Sequence, residues 1–178
     1  MSLAQWIVGL VVLQRLIELV YARRNTARLL ARGAREVGRG HYPLLVLLHG
    51  GWLAALFLLL PADGPVFWPL LALFGLLQLG RLWVLLTLGR FWTTRIITLP
   101  GAPVIRSGPY RFCRHPNYVI VAAEIAVLPL AFGAWKIALV FSLLNAAVLL
   151  HRIRVEDAAL SPRRAAGAPQ EPGNVAAP

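Results

Sequence analysis

The sequence has very few residues that bind metals or form disulfides. Cys113 is the only cysteine, which excludes an internal disulfide and a cysteine metal cluster. It lies in a polar segment, but no second group is arranged to activate it, so we interpret it as a bystander thiol. The four histidines have no ligand spacing and no carboxylate nearby, so we expect no metal site. They are His41, His49, His115 and His151.

Acidic residues and lysine are also scarce. Only 7 Asp and Glu stand against 18 Lys and Arg, which gives a net charge of +11. In a soluble chain this charge would indicate nucleic acid, but no basic-aromatic soluble module is present, and we exclude that partner. Lys136 is the only lysine, so nearly all the positive charge is arginine. This bias is typical of a high-GC genome and indicates a bacterial protein.

What the chain does have is long apolar sequence. It is 58% hydrophobic with a mean hydropathy of +0.67, and a membrane span needs ~20 apolar residues. Pro129 and Gly133 predict that the longest run is a tight hairpin of two short helices. The sequence therefore predicts an all-α polytopic membrane protein with five transmembrane helices, of which the last two form the hairpin. The apolar runs are residues 3–22, 43–60, 66–88 and 119–150.

The first run lacks a basic start and is interrupted by Gln14, Arg15 and Glu18, so it is not a signal peptide. Arginine is concentrated between runs one and two and between runs three and four. The positive-inside rule then places the N-terminus outside and both basic loops and the C-terminal tail in the cytoplasm. The six tryptophans are most simply interface anchors. They are Trp6, Trp52, Trp68, Trp83, Trp92 and Trp135.

The segment from Gly108 to Tyr118 is the most informative part of the chain. Pro109 predicts a turn, and Pro116 predicts the first position of a helix, where its missing N–H costs nothing. The free N–H groups of that first turn lie beside basic side chains and favour an anionic group such as a carboxylate or phosphate. These basic side chains are Arg111, Arg114 and His115.

Together with the downstream run from Arg152 to Leu160, this segment resembles the isoprenylcysteine carboxyl methyltransferase family. The matching pattern is a Gly-Pro-Tyr turn, Arg-His-Pro-x-Tyr, a hydrophobic hairpin with Asn145 near its end, and then Arg, an acidic pair and Leu. The resemblance covers residues 80 to 160. It is greatest to small bacterial members associated with type III polyketide synthases, whose acceptors resemble alkylpyrones or alkylresorcinols.

This resemblance implies an integral-membrane enzyme that uses S-adenosylmethionine. It implies a catalytic role for Arg152, Glu156 and Glu124, with Asp157 completing the acidic pair. Residues of the first segment are implied to bind the cofactor. These are Gly108, Pro109, Tyr110, Arg114, His115, Asn117 and Tyr118.

Each candidate also has a structural interpretation. His115 is alternatively a helix N-cap or a histidine at the membrane interface. Tyr110 and Tyr118 are alternatively aromatic-belt residues. Asn117 is alternatively a polar residue of the first helical turn. The i, i+4 spacing of Arg152 and Glu156 also fits a surface ion pair.

Glu124 lies two turns into an apolar helix, where an ionisable group is costly and usually functional. We predict a role in the substrate pocket. The alternative is a structural pair with a membrane-embedded arginine, namely Arg81 or Arg15.

The sequence departs from the family pattern after Leu160. Ser161-Pro162 is expected to end the last helix, and the remainder is rich in Ala, Pro and Gly. We therefore divide the chain into a membrane methyltransferase domain, residues 1–160, and a disordered cytoplasmic tail, residues 161–178.

The predicted function is methyl transfer from S-adenosylmethionine to a carboxyl or hydroxyl oxygen of a lipophilic acceptor. The acceptor is expected to resemble an alkylpyrone or alkylresorcinol, or alternatively a prenylcysteine. Membrane lipid is the other expected partner, and the site is expected at the cytoplasmic face of a bacterial inner membrane. The alternatives are an NADPH-dependent membrane reductase, a phospholipid N-methyltransferase and a non-catalytic membrane protein. The sequence does not identify the acceptor or the oligomeric state.

Overall fold

The computed structural model describes residues 2–61, 63–102 and 105–166, and it is built from five α-helices and one short β-ribbon. Helix α1 begins with a capping box, in which the Gln5 N–H donates to Ser2 Oγ at 3.3 Å and the Ser2 N–H donates to Gln5 Oε1 at 3.0 Å. The helices are α1 (Leu3–Ala31), α2 (Tyr42–Leu59), α3 (Trp68–Leu88), α4 (Pro116–Ala131) and α5 (Trp135–Ala166).

The prediction of an all-α polytopic membrane fold is confirmed. Within the described residues, four helices are long and apolar enough to cross a membrane, and α4 is a shorter apolar helix. Five transmembrane helices were expected, but α4 falls below the length of an ordinary span, so the number of spans stays a prediction. Their outward surfaces are covered by exposed leucine, valine and tryptophan side chains, as expected for helices that face lipid.

Helices α4 and α5 form the predicted tight hairpin. Helix α4 ends at Ala131, and Gly133 in the following turn has a φ of 71°, a conformation that favours glycine. A Cβ at Gly133 would lie 2.9 Å from the Pro65 ring, so the turn packs closely on the segment before α3. The Phe67 N–H also donates to the Ala131 carbonyl at 2.8 Å, which fixes the hairpin against α3.

A small antiparallel ribbon joins the two arginine-rich connections. Strand β1 (Arg35–Val37) pairs with β2 (Ile96–Thr98), with Glu36 opposite Ile97. Glu36 accepts hydrogen bonds from Arg95 Nη1 at 2.9 and 3.1 Å. The ribbon therefore positions the long connection after α3, which leads to the Gly108–Tyr118 segment.

The main hydrophobic core lies among α1, α2, α3 and the α4–α5 hairpin. Trp52 is 1% exposed and lies in this core, so its interpretation as an interface anchor is wrong. Trp92 is also wrongly interpreted, because it is 3% exposed and packs in a second cluster beside Ala22 and Val84. The other four tryptophans are 50–65% exposed, in agreement with the prediction.

Helix α5 does not end at Ser161-Pro162, as the sequence predicts, but continues to Ala166. Pro162 has no N–H to donate to the carbonyl of Ala158. The Ser161 hydroxyl donates to that carbonyl at 3.0 Å instead, so the proline leaves no unpaired acceptor there. The rest of the predicted tail, residues 167–178, lies outside the described residues.

Candidate functional site

The Gly108–Tyr118 segment forms a turn that only glycine can begin. Gly108 has a φ of 56°, and a Cβ there would lie 2.5 Å from Thr87 Oγ1. A single 3-10 turn (Gly108–Arg111) follows, and its Pro109 is buried. Pro116 is the first residue of α4, as predicted. Gly108 and Pro109 thus shape the site by fixing the backbone against α3.

His115 occupies the N-cap position of α4, but its side chain does not cap the helix. The imidazole Nε2 lies 3.1 Å from Asp157 Oδ1, and the ring stacks on Tyr118 with centroids 5.3 Å apart and an interplanar angle of 9°. Nδ1 lies 4.0 Å from Glu156 Oε2. The two sequence motifs, separated by more than 30 residues, therefore meet through His115.

Arg152 and Glu156 meet at the Tyr118 hydroxyl. The hydroxyl donates a hydrogen bond to the Glu156 carboxylate and accepts one from Arg152 Nε at 2.7 Å. Arg152 Nη2 donates to the Thr94 carbonyl at 2.8 Å, and Arg152 is 6% exposed. The spacing i, i+4 thus serves to bring both groups to one tyrosine, and the arginine is not on the helix surface.

A cavity of about 190 Å³ opens beside this constellation. Seven of the ten predicted site residues line it, while Gly108 and Pro109 form the turn behind it and Glu124 lies elsewhere. The pKa of Tyr110 is raised by its burial and by the negative charge of Glu156, so the phenol is protonated at neutral pH. The seven are Tyr110, Arg114, His115, Asn117, Tyr118, Arg152 and Glu156.

A second, larger groove of about 610 Å³ runs between α1 and α2. Its lining is predominantly apolar along both helices. The groove and the cavity share one stretch of wall, which is formed by five residues from three parts of the chain. These are Trp92, Thr93, Asn117, Tyr118 and Arg152.

Three buried polar atoms belong to this shared wall and have no hydrogen-bond partner among the described residues. They are the Trp92 indole N–H, Asn117 Oδ1 and Arg152 Nη1. Buried polar groups in proteins are nearly always paired, so such a cluster calls for a partner. The wall between the polar cavity and the apolar groove therefore offers two donors and one acceptor. These suit the polar atoms of bound small molecules.

Glu124 takes part in a buried ionic network. It accepts hydrogen bonds from Arg15 Nη2 at 2.8 Å, Arg81 Nη1 at 3.3 Å and Gln78 Nε2 at 2.8 Å. Arg81 Nη2 also pairs with Glu18 at 2.6 Å. These contacts agree with the structural alternative for Glu124, which was a pair with Arg81 or Arg15. Both arginines are its partners.

The network nevertheless reaches the groove, because Arg15, Glu18 and Arg81 belong to its lining. Glu124 lies behind them and is 2% exposed. Two guanidinium groups and two carboxylates give the cluster no net charge. Such a cluster is tolerated inside an apolar bundle because each charge has a partner.

Sequence reasoning missed two residues that build the site. Asn25 is buried in α1 and its Nδ2 donates to the carbonyls of Gly89 at 3.1 Å and Trp92 at 3.0 Å, which holds the start of the long connection. Trp92 was attributed to the membrane interface. Asn25 is an amide within a helix rich in arginine and leucine, which is a weak sequence signal for a buried polar role. Nothing in the local sequence distinguishes Trp92 from the exposed tryptophans.

These features define the class of the protein: a polytopic membrane protein with a polar cavity at one end of the bundle and an apolar groove leading to it. The model of the isoprenylcysteine carboxyl methyltransferase (ICMT) family matches residues 70–162. The chain is 36% identical over 158 residues to "Uncharacterized protein YpbQ" of Bacillus subtilis (strain 168), covering 86% of this chain and 94% of the relative. No solved structure matches. The chain belongs to the ICMT family of membrane methyltransferases.

Proposed function

We propose that this protein transfers a methyl group from S-adenosylmethionine to a carboxyl or hydroxyl oxygen of a lipophilic acceptor. The observation that carries the proposal is the shared wall, at which the polar cavity and the apolar groove meet. A methyl donor in the cavity and an acceptor in the groove would meet at this wall. Alignment of two bound reactants supplies much of the rate in such a transfer.

The cavity suits the donor. S-adenosylmethionine supplies an electrophilic methyl group on a sulfonium sulfur, together with an amino-acid carboxylate and an adenosine. Arg114 and His115 line the cavity at the start of α4, where a helix N-terminus and a cationic side chain both favour a carboxylate. Asn117 Oδ1 is an unpaired acceptor for a donor group such as an amine or hydroxyl.

The groove suits the acceptor. Its walls on α1 and α2 are apolar along most of their length, and both helices expose apolar side chains outward. A lipophile therefore has a route from the bilayer to the shared wall without crossing water. Burial of its apolar part contributes ~0.8 kcal/mol per methylene to binding.

In this proposal the reacting oxygen of the acceptor is positioned and, where it is a hydroxyl, deprotonated by three residues, which are Arg152, Tyr118 and Glu156. Arg152 Nη1 donates a hydrogen bond to that oxygen, and the Trp92 indole N–H is a second donor in the same wall. A carboxylate acceptor needs no base. For a hydroxyl acceptor, Glu156 receives the proton, either directly or through Tyr118, whose hydroxyl already donates to it.

The proposed location is the cytoplasmic face of a bacterial inner membrane. The cavity lies on the same end of the bundle as the two arginine-rich connections, and such connections remain in the cytoplasm. The donor is a water-soluble metabolite, so a site at this end is accessible to it.

Calorimetric titration of the purified protein in detergent with S-adenosylmethionine, and separately with NADPH, tests the proposal. We expect binding of the first and not of the second. Binding of NADPH would instead support a membrane reductase, and binding of neither would support a non-catalytic protein. Radiolabelled methyl transfer to a lipid extract then distinguishes an oxygen acceptor from methylation of the amine of phosphatidylethanolamine, which would support a phospholipid N-methyltransferase.

A further inference from the structure

Gly50 lies in the middle of α2. Glycine in a helix interior is less favourable than alanine, because it loses more backbone freedom on folding. A Cβ added at Gly50 would meet nothing within 4 Å. The neighbouring Gly51 differs, since a Cβ there would contact the Phe141 ring of α5 at 3.7 Å. Packing within the protein therefore does not account for glycine at position 50.

Gly50 lines the groove between α1 and α2. Ala54 is the next small residue of the groove lining, and it lies one turn further along the same face of α2. At this level the groove is therefore bounded by nearly bare helix backbone. A side chain at position 50 would occupy groove volume that is open in the structure.

The groove has a polar end and an apolar end. Its polar end is at Tyr42, whose hydroxyl lies 3.2 Å from Thr94 Oγ1, next to the Thr94 carbonyl that binds Arg152. His49 is the last polar residue that α2 contributes to the lining. Beyond it the lining on α2 is entirely apolar. These residues are Gly50, Leu53, Ala54, Phe57 and Leu58.

The distances along α2 give the scale of a bound molecule. With a rise of 1.5 Å per residue, Gly50 lies ~12 Å from Tyr42 along the helix axis, and Leu58 lies ~24 Å from it. A molecule whose oxygen is held at Arg152 would reach Gly50 only with a part that extends well beyond its polar group. The lining on α2 from Gly50 onward offers no hydrogen-bonding side chain, so we expect that part to be apolar where it faces α2.

We propose that Gly50 determines the chain length of the acceptor. The acceptor is an amphiphile with one small oxygen-bearing polar group and one long apolar chain, and the chain passes over Gly50 toward Phe57. This inference rests on the proposed function, since it assumes that the polar group binds at the shared wall. A larger side chain at position 50 closes the groove to the chain but leaves the polar end and the methyl-donor cavity unchanged.

The test uses Gly50→Leu and the milder Gly50→Ala, with Gly75→Leu as the matched control. Gly75 lies in α3, a Cβ there also meets nothing within 4 Å, and it lines neither cavity. All three changes improve helix propensity, so we expect the variants to fold. The probes are para-n-alkylphenols with short, medium and long chains, which carry one hydroxyl and one unbranched chain.

In the first arm, a long-chain probe with a diazirine at its chain end is photolysed in the wild-type protein, and the labelled residues are identified by mass spectrometry. We expect labelling on α2 between Leu53 and Leu58. Gly50→Leu should abolish this labelling, and Gly75→Leu should preserve it. Labelling that is the same in both variants, or that lies elsewhere in the wild type, would overturn the proposal.

In the second arm, methyl transfer to each alkylphenol is measured with labelled S-adenosylmethionine. Relative to wild type, Gly50→Leu should lower kcat/KM for the long chain by at least ~10-fold while sparing the short chain, with Gly50→Ala intermediate. An unchanged chain-length profile would contradict the role of Gly50. Absence of methyl transfer to any probe, with correct labelling in the first arm, would contradict a hydroxyl acceptor in the proposed function and leave the groove assignment intact.

Discussion

His115 connects the two sequence motifs, since its ring stacks on Tyr118 and its Nε2 contacts Asp157. The N-cap alternative is not supported, because the side chain makes no capping hydrogen bond. What stays a prediction is that the ring binds the cofactor. The contacts with Asp157 and Tyr118 orient the imidazole along the wall of the cavity, which is the arrangement that a binding role requires.

His115→Ala should therefore weaken S-adenosylmethionine binding by ~1–3 kcal/mol, the usual cost when a polar partner is left unpaired. Calorimetry on the folded variant in detergent measures the loss. His151→Ala is the matched control, because His151 is exposed on the same helix as Arg152 and lines neither cavity. Equal affinity of the His115 variant and wild type would assign His115 a purely structural role.

Arg152 and Glu156 belong to one unit with Tyr118, so we expect either alanine variant to lower turnover by at least ~100-fold. Cofactor affinity should change less than turnover, because both residues are assigned to the acceptor oxygen. Steady-state kcat and the calorimetric Kd for S-adenosylmethionine separate the two effects.

Tyr118→Phe is informative in the same assay, since it removes the hydroxyl that links the two charges while keeping the ring stacked on His115. We expect a turnover loss in this variant as well. The double variant Arg152→Glu with Glu156→Arg keeps both charges on the helix but reverses them at Tyr118. Turnover near the wild-type rate in that double variant would show that the active site lies elsewhere.

At the scale of elements, the α4 helix carries two different polar groups that are six residues apart. Tyr118 lies in the first turn and belongs to the proposed site, whereas Glu124 is further in and belongs to the network with Arg15 and Arg81. The sequence shows both only as polar residues of one apolar helix. Only the packing of α1 and α3 against α4 distinguishes them, because the two arginines come from those helices.

Glu124→Ala should consequently affect stability before activity. Removing one member of a buried ionic network costs ~3–5 kcal/mol, since the two guanidinium groups of Arg15 and Arg81 are then left to share the Glu18 carboxylate. Unfolding by a denaturing detergent, followed by circular dichroism, measures the change. Glu156→Ala is the comparison variant, as its carboxylate is part-exposed, and we expect its loss to cost less than the loss of Glu124. Equal stability of the two variants would contradict a structural role for the network.

Helix ends were predicted less well than helix positions. The hairpin and the start of α4 at Pro116 agree with expectations from the sequence. Helix α1 instead extends beyond its apolar run to Ala31, so several arginines attributed to a loop lie on a helix. A helix ends where its backbone groups find other partners, and hydropathy does not report that.

At the scale of the whole molecule, the arginine distribution predicts orientation. Residues at both basic connections should lie in the cytoplasm, and the short connection between α2 and α3 should lie outside. In a Cys113→Ser background, cysteines at Arg32 and Arg106 should resist an impermeant thiol reagent in intact cells, while a cysteine at Asp63 should react. All three positions are exposed in the structure, so accessibility within the fold is comparable. Strong labelling at Arg32 or Arg106 would reject this topology.

The sequence by itself determined the membrane environment and the family of this protein. Long apolar runs require a bilayer because a soluble domain of this size has no interior for them, and the Gly-Pro-Tyr and Arg-His-Pro-x-Tyr patterns indicate a turn and a helix start through local backbone constraints. The distribution of arginine indicates the orientation of the protein in the membrane. This inference also needs only the sequence, because it depends on which connections carry the arginines.

The tertiary structure decided which of these residues meet. It joins Tyr118 to Glu156 and Arg152, gives Glu124 its two arginine partners, buries Trp92 and opens the groove beside Gly50. Each of these contacts links helices or loops that are far apart in the chain. Local periodicity specifies which face of a helix is apolar, but the neighbour of that face depends on how five helices pack together, and this is a property of the whole bundle.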